Sequence, residues 1–273
     1  MWTPPFAIRK SFAGAVNENT VTQASSSGTQ SSHAAAVAAF PGQWQCPIVR
    51  CETAGQDQDY YLTPDEDGDL PLHIAIVRED LTSVHSILQL MVQHRQCIDL
   101  FNNLRQTPLH TAVTVNNAMI VRMLLHNGAN MASVDRKGDS ALHLAVKCGA
   151  KDCLVQMLEY PQSEKLISSL NYDGLAPIHI AVLKNDANSI KSLASQNADI
   201  DIVDGKSGRT PLFLAVENNL IHMVELLVSL GASVNLANFS SITPLIAATD
   251  RGNKAITSIL ISRGAMISSK YDY

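Results

Sequence analysis

The stretch Thr107-Pro108-Leu109-His110-Thr111-Ala112 decides the fold, because versions of it recur six times at nearly constant spacing. Its Leu position is held by Leu72, Leu109, Leu142, Ile178, Leu212 and Leu245, so successive copies stand 37, 33, 36, 34 and 33 residues apart. The Ala position never varies: Ala75, Ala112, Ala145, Ala181, Ala215 and Ala248. Thr-Pro precedes the Leu at Thr107-Pro108, Thr210-Pro211 and Thr243-Pro244. Six copies of such a frame leave no room for coincidence.

Each residue type has a physical task. A Thr hydroxyl accepts from a backbone N–H that has no intrahelical partner, so it caps a helix. Pro suits the first helical turn, where it loses no hydrogen bond and its φ is already near helical. Ala lets neighbouring helices approach closely, and Leu enters the core between repeats. About a dozen residues on, a second apolar cluster follows, such as Ile120, Val121, Leu124 and Leu125, or Met223, Val224, Leu226 and Leu227. The turn after it needs a left-handed residue, supplied by Gly128, Gly231 and Gly264, with Asn197 in the fourth copy. Leu70 and Ser140-Ala141 stand where Thr or Thr-Pro is usual, which predicts weaker caps in the first and third copies.

The period and the frame resemble the ankyrin repeat, a β-turn followed by two antiparallel helices. The expected fold is all-α: an ankyrin-repeat solenoid of six helix-turn-helix repeats with β-turn tips over residues 67–269. One repeat cannot bury its own apolar face, so stability comes from stacking neighbours. The last helical segment, Ala255 to Ser262, is richer in apolar residues than one inner face requires. The sixth repeat is therefore expected to be the least stable.

Residues 1–66 read differently. From Thr20 to Ser32, 8 of 13 residues are Ser or Thr, a composition that buries too little surface to offset ordering entropy. A disordered N-terminal tail is expected over residues 1–66, with Tyr60, Tyr61 and Leu62 covering the end of the stack. The formal charge of −5 divides into −3 for residues 1–66 and −2 for the rest. A nearly neutral stack lacks the basic field that direct nucleic-acid binding requires, so DNA is expected only indirectly, through a protein partner. No apolar run approaches the ~18 residues that span a bilayer, and Met1-Trp2-Thr3-Pro4-Pro5 does not read as a secretory signal. No membrane partner is expected. The five Cys fit reduced thiols in the nucleus and cytoplasm.

Nothing in the chain reads as catalytic, and no cofactor, metal ion or small-molecule substrate is expected. Four of the nine His (His73, His110, His143, His179) fill one repeat slot, so they stand a repeat apart and cannot converge on one ion. His143 with Cys148 and Cys153 lacks the tight spacing of a zinc site. Asp65-x-Asp67-Gly68 fails as a calcium loop, because Thr63 and Ile74 stand where an EF-hand needs Asp and Glu.

What remains is surface. The β-turn tips project furthest and, with the first helices, line a concave face. The candidate partner-binding residues are Asn103, Arg105, Gln106, Arg136, Lys137, Asn171, Tyr172, Asp173, Lys206, Arg209 and Phe239. Tyr and Arg are enriched at interface anchors. Tyr172 either anchors a partner or packs on the neighbouring tip. Alanine at Arg105, Tyr172, Lys206 or Arg209 is expected to weaken binding without unfolding the stack.

Several stretches resemble the inhibitor-of-NF-kappa-B family of ankyrin proteins. They are Asp67-Gly68-Asp69, Asn102-Asn103-Leu104-Arg105-Gln106 and Asn171-Tyr172-Asp173-Gly174-Leu175, then Lys206-Ser207-Gly208-Arg209 with Ala215-Val216-Glu217-Asn218-Asn219. The resemblance implies a protein that clasps Rel-type transcription factor dimers along its concave face, regulating NF-kappa-B-dependent transcription. Residues 1–66 hold no Asp-Ser-Gly-x-x-Ser degradation motif, which points to a nuclear co-regulator. A cytoplasmic inhibitor that retains Rel dimers, and a generic ankyrin scaffold, are the alternatives.

Overall fold

The computed structural model describes residues 60–266, so residues 1–59 of the expected tail and the last residues of the stack lie outside the described residues. Among the described residues there are thirteen α-helices and no β-strand, only an isolated bridge between Val134 and Ser140. The first helices of the six repeats are α1 (Pro71–Val77), α3 (Pro108–Thr114), α5 (Ala141–Cys148), α8 (Pro177–Leu183), α10 (Pro211–Glu217) and α12 (Pro244–Asp250). The second helices are α2 (Leu81–Gln93), α4 (Ala118–His126), α6 (Lys151–Leu158), α9 (Ala187–Ser195), α11 (Ile221–Ser229) and α13 (Lys254–Ser262). Each first helix packs on the next, giving one row. The second helices form another row, which thins between α9 and α11.

The uneven spacing of the frame has a structural address at each point. The interval of 37 is taken up by α2, which is 13 residues long where α4 has 9. The interval of 36 holds an extra helical turn, α7 (Ser163–Leu166), between α6 and the fourth tip. The interval of 34 is a wider tip, closed by Asp204 N–H to Arg209 C=O where the third tip closes from Asp135 to Asp139.

One continuous core runs through the described stack. Every Leu and Ala of the repeated frame is buried in it, as are Ile120, Val121 and Leu124 of α4 and Ile256 and Leu260 of α13. Fully burying a Leu or Ile contributes about 1.5–3 kcal/mol, so a repeat gains most of its stability where it meets a neighbour. Tyr61, in a 3₁₀ turn from Tyr60 to Leu62 that packs on α1, covers the first repeat. In α13, Ile261 stays half exposed.

The capping differs from the sequence expectation. At Thr107 the hydroxyl does not cap the backbone; it bonds His110 Nδ1 at 2.8 Å. The ring nitrogen itself accepts the cap N–H. His73, His110, His143 and His179 accept in this way from Leu70, Thr107, Ser140 and Ala176, at 3.0–3.3 Å. Neither Leu70 nor Ser140 caps its helix with a side chain, and in this they do not differ from Thr107; at all three the ring three residues on holds the N–H of the residue that opens the helix. The other nitrogen, Nε2, donates to a carbonyl of the following repeat: Gln106, Asp139, Leu175, and the pair Ile202 and Arg209. Only where the His is replaced, by Phe213 and Ile246, does a Thr hydroxyl cap the helix, from Thr210 and Thr243. These rings lock each helix start to the next tip.

Cys97 is disulfide-bonded, against the expectation of reduced thiols, while Cys148 and Cys153 are free. Counting cysteines does not reveal which of them approach one another.

Candidate partner-binding surface

Five tips share one turn. The side chain of the first residue accepts from the N–H groups two and four residues on: Asp65, Asn102, Asp135, Asn171 and Asn238 all do so, at 2.7–3.0 Å. Short acceptor side chains favour such turns. The fourth position is left-handed, as φ +74° at Gly138 shows.

Successive tips are seated on one another. A Cβ built on Gly138 would meet Tyr172 Cδ1 at 2.5 Å, and one on Gly68 would meet Asn103 Oδ1 at 2.5 Å. Phe239 covers Gly208 in the same manner. Backbone bonds accompany the seats: Asn103 N–H to Asp67 C=O, Tyr172 to Lys137, Gly205 to Gly174 and Phe239 to Ser207, at 2.8–3.3 Å. Both alternatives for Tyr172 are thus realised, since it packs on the neighbouring tip and still leaves 65% of its surface exposed. Phe239 is 69% exposed.

The eleven residues expected to bind a partner separate into two groups. Asn103, Arg105, Arg136, Lys137, Tyr172, Asp173, Lys206 and Phe239 are exposed along the tips. Lys206 Nζ reaches Asp173 at 3.2 Å, a fully solvated pair. The other three are committed inward. Asn171 is buried, and its amide donates to Asp139 Oδ1 at 2.7 Å. Gln106 is half-buried, its N–H tied to Asn102 and its carbonyl to His73. Arg209 lies across Asp204 at 2.8 Å and Glu217 at 3.0 Å, with Glu217 also 3.7 Å from Arg251. These pairs lead to the expectation that alanine at Arg209 costs folding stability, unlike alanine at the exposed tip residues.

Electrostatics follow from these contacts. Burial pushes the Asp204 carboxyl up, but the Arg209 guanidinium and the Ser207 N–H together outweigh it and hold it below the usual carboxylate value. Burial holds His73, His110, His143 and His179 below the ordinary imidazole value, so all four rings are neutral near pH 7. Both nitrogens of His143 are already bonded, and Cys153 donates to Asn116 Oδ1, so of the His143–Cys148–Cys153 trio only Cys148 is free and exposed.

The tips also carry an apolar component that the turn motifs do not announce. Phe101, Leu104, Leu170, Val203 and Leu236 are exposed in or beside the tips, and Arg105 stands over the Phe101 ring at 5.8 Å. Phe101, Leu170 and Val203 share the slot just before the turn, a regularity visible in the repeat alignment. Aromatic and aliphatic groups set among cations are what protein interfaces use; the arrangement offers contact area, not reaction chemistry.

A family profile described as Ankyrin repeats matches residues 45–135, 127–204 and 178–271. The chain belongs to the ankyrin-repeat family and, within it, to the IkappaB protein family. The crystallised ankyrin domain of Bcl-3, described as a unique member of that family, superposes with a TM-score of 0.71 at 42% identity, covering 74% of this chain and 89% of that one. The mouse B-cell lymphoma 3 protein homolog is 42% identical over 202 residues, which is 74% of this chain and 45% of that protein. The human NF-kappa-B inhibitor epsilon is 38% identical over 207 residues, 73% of this chain and 41% of that protein. The chain spans about half the length of the curated relatives it matches, 45% and 46% for the mouse and human B-cell lymphoma 3 proteins.

Proposed function

We propose that this protein regulates NF-kappa-B-dependent transcription without enzymatic activity, by binding Rel-type transcription factor dimers along its tips and first helices. The observation that carries this reading is the likeness to the Bcl-3 ankyrin domain, at 42% identity over 74% of the chain. The exposed tip row, with Tyr172, Phe239, Arg105, Arg136, Lys137 and Lys206, supplies the aromatic and cationic contacts that such a complex needs. Asn103 and Asp173 complete the surface. We place it in the nucleus and cytoplasm, acting as a nuclear co-regulator, with DNA reached only through the dimer. Retention in the cytoplasm is the second reading, favoured by the likeness to inhibitor epsilon.

The test is a pull-down of the whole chain with purified Rel homodimers, with and without κB-site DNA. A ternary complex supports the co-regulator, and displacement of the DNA supports the inhibitor. Absence of binding to any Rel dimer overturns both and leaves a scaffold for other partners.

A further inference from the structure

The seating of one tip on the next is interrupted once. At the left-handed position of the second tip the residue is Arg105, with φ +57°, where the first, third, fourth and fifth tips carry Gly68, Gly138, Gly174 and Gly208. Arg105 thus carries a Cβ at the position where Gly68, Gly138 and Gly208 leave room for a side chain of the following tip. Among the described residues, Leu104 C=O and Arg136 N–H form no backbone bond, although the corresponding groups pair at three of the other four junctions and Gly205 N–H reaches Gly174 C=O at the remaining one. An arginine held in left-handed backbone is a strained choice, and strain of this kind collects where a surface is used.

The charges at the interruption also differ from those of the later tips. Lys147 pairs with Asp139, Lys206 with Asp173, and Arg209 and Arg251 with Glu217. Among the described residues, Arg105, Arg136 and Lys137 have no carboxylate within ion-pair distance, and all three are exposed. Exposed Leu104 and Phe101 flank them. Asp65, Glu66 and Asp67 occupy the tip before, and Asp173 the tip after.

We propose that the tips of repeats two and three bind a short acidic peptide segment of a protein partner, extended along the open Leu104–Arg136 edge. Guanidinium forks grip carboxylates in two parallel hydrogen bonds, which two arginines on consecutive tips provide. The unpaired carbonyl and N–H offer the backbone bonds that an extended segment takes up. The length is set by the flanks. A polyanion such as nucleic acid would run on against Asp65, Glu66 and Asp67 on one side and Asp173 on the other. A segment with a few carboxylates fits between them. This inference does not depend on the identity of the partner proposed above.

The experiment is fluorescence anisotropy on the full chain with a labelled glutamate-rich peptide, its glutamine-for-glutamate copy and a single-stranded DNA oligonucleotide. The peptide should bind in a salt-sensitive manner, and its copy should not. Arg136→Glu/Lys137→Glu should weaken it about tenfold or more, and Arg105→Gly should weaken it too. Lys191→Glu, at an exposed position on α9, should leave it unchanged. Circular dichroism melts confirm that each variant is folded, and Arg136→Gln/Lys137→Gln serves if charge reversal disturbs the fold. Equal binding of the glutamine copy, no binding at all, or tighter binding of the oligonucleotide with the same sensitivity to Arg136 and Lys137 overturns the proposal.

Discussion

The ring of Tyr172 lies across Gly138, so close that a single added methyl group on the glycine would meet Cδ1 at 2.5 Å. The tyrosine's own backbone nitrogen lies 2.7 Å from the same point. Gly138→Ala should destabilise the stack by about 2 kcal/mol or more, from left-handed strain of about 1–2 kcal/mol and this collision. Removing the ring does not make room for the nitrogen, so Gly138→Ala/Tyr172→Ala should stay close to Gly138→Ala. Thermal melts of the three variants, with Tyr172→Ala as the mild one, check the order.

The four frame histidines give the stack an acid limit. Burial holds each folded ring below its ordinary value of 6.5. Around His143, Asp139 and Lys147 act in opposite directions, and burial outweighs both. As pH falls below that value the unfolded chain takes up protons that the folded chain refuses. Stability should therefore drop in acid, by up to about 1.4 kcal/mol per pH unit for each ring, and be insensitive to these rings above pH 7. Urea unfolding at a series of pH values should show the slope, and His143→Phe should make it shallower while costing about 1–3 kcal/mol for the lost bonds.

Arg209 and Lys206 are three residues apart and should behave oppositely. Arg209→Ala strips the guanidinium from Asp204, whose side chain is 1% exposed, and should cost about 1–3 kcal/mol of stability. Lys206→Ala breaks only a solvated pair and should stay within about 0.5 kcal/mol. Chemical denaturation of both variants separates them.

Arg105→Gly should fold about as well as the parent, within about 1 kcal/mol. Relief of left-handed strain, about 1–2 kcal/mol, is offset by glycine's unfolded entropy of about 0.5–1 kcal/mol. The lost contact with Phe101 removes a further ~0.5–1 kcal/mol. Arg105→Val, branched at Cβ, should be clearly less stable than either, as melting temperatures would show.

The stack was legible because the Leu and Ala of the frame are buried in every repeat, and burial forces residue type. The interval lengths told how many residues were extra, but not that they go to α2, α7 and the fifth tip, since a count carries no location. Along the tips, exposure was legible wherever a side chain points away from the stack, as at Lys137 or Phe239. It failed at Asn171, whose partner Asp139 stands 32 residues away, and at Arg209, whose partners Asp204 and Glu217 are five and eight residues away but are brought to it only by the wider fifth tip and α10. Thr107 misled for a subtler reason. Its hydroxyl has the right chemistry to cap, but it is taken up by His110 Nδ1, which also accepts the N–H of Thr107 itself while Nε2 reaches the next repeat.

The histidine bonds also give the molecule a grain. Four junctions are bolted by a ring that reaches forward, and the fifth has Phe213 in its place, leaving the sixth repeat attached by packing, the Phe239 tip, the contacts of Glu217 and Asn219 with Arg251 and Asn253, and the bonds of Asn235 to Gly264 and Met266. Pulled from opposite ends, such a chain does not tear symmetrically. Tension applied from the C-terminal side finds the unbolted junction first and peels away one repeat, while the first five stay clamped to one another.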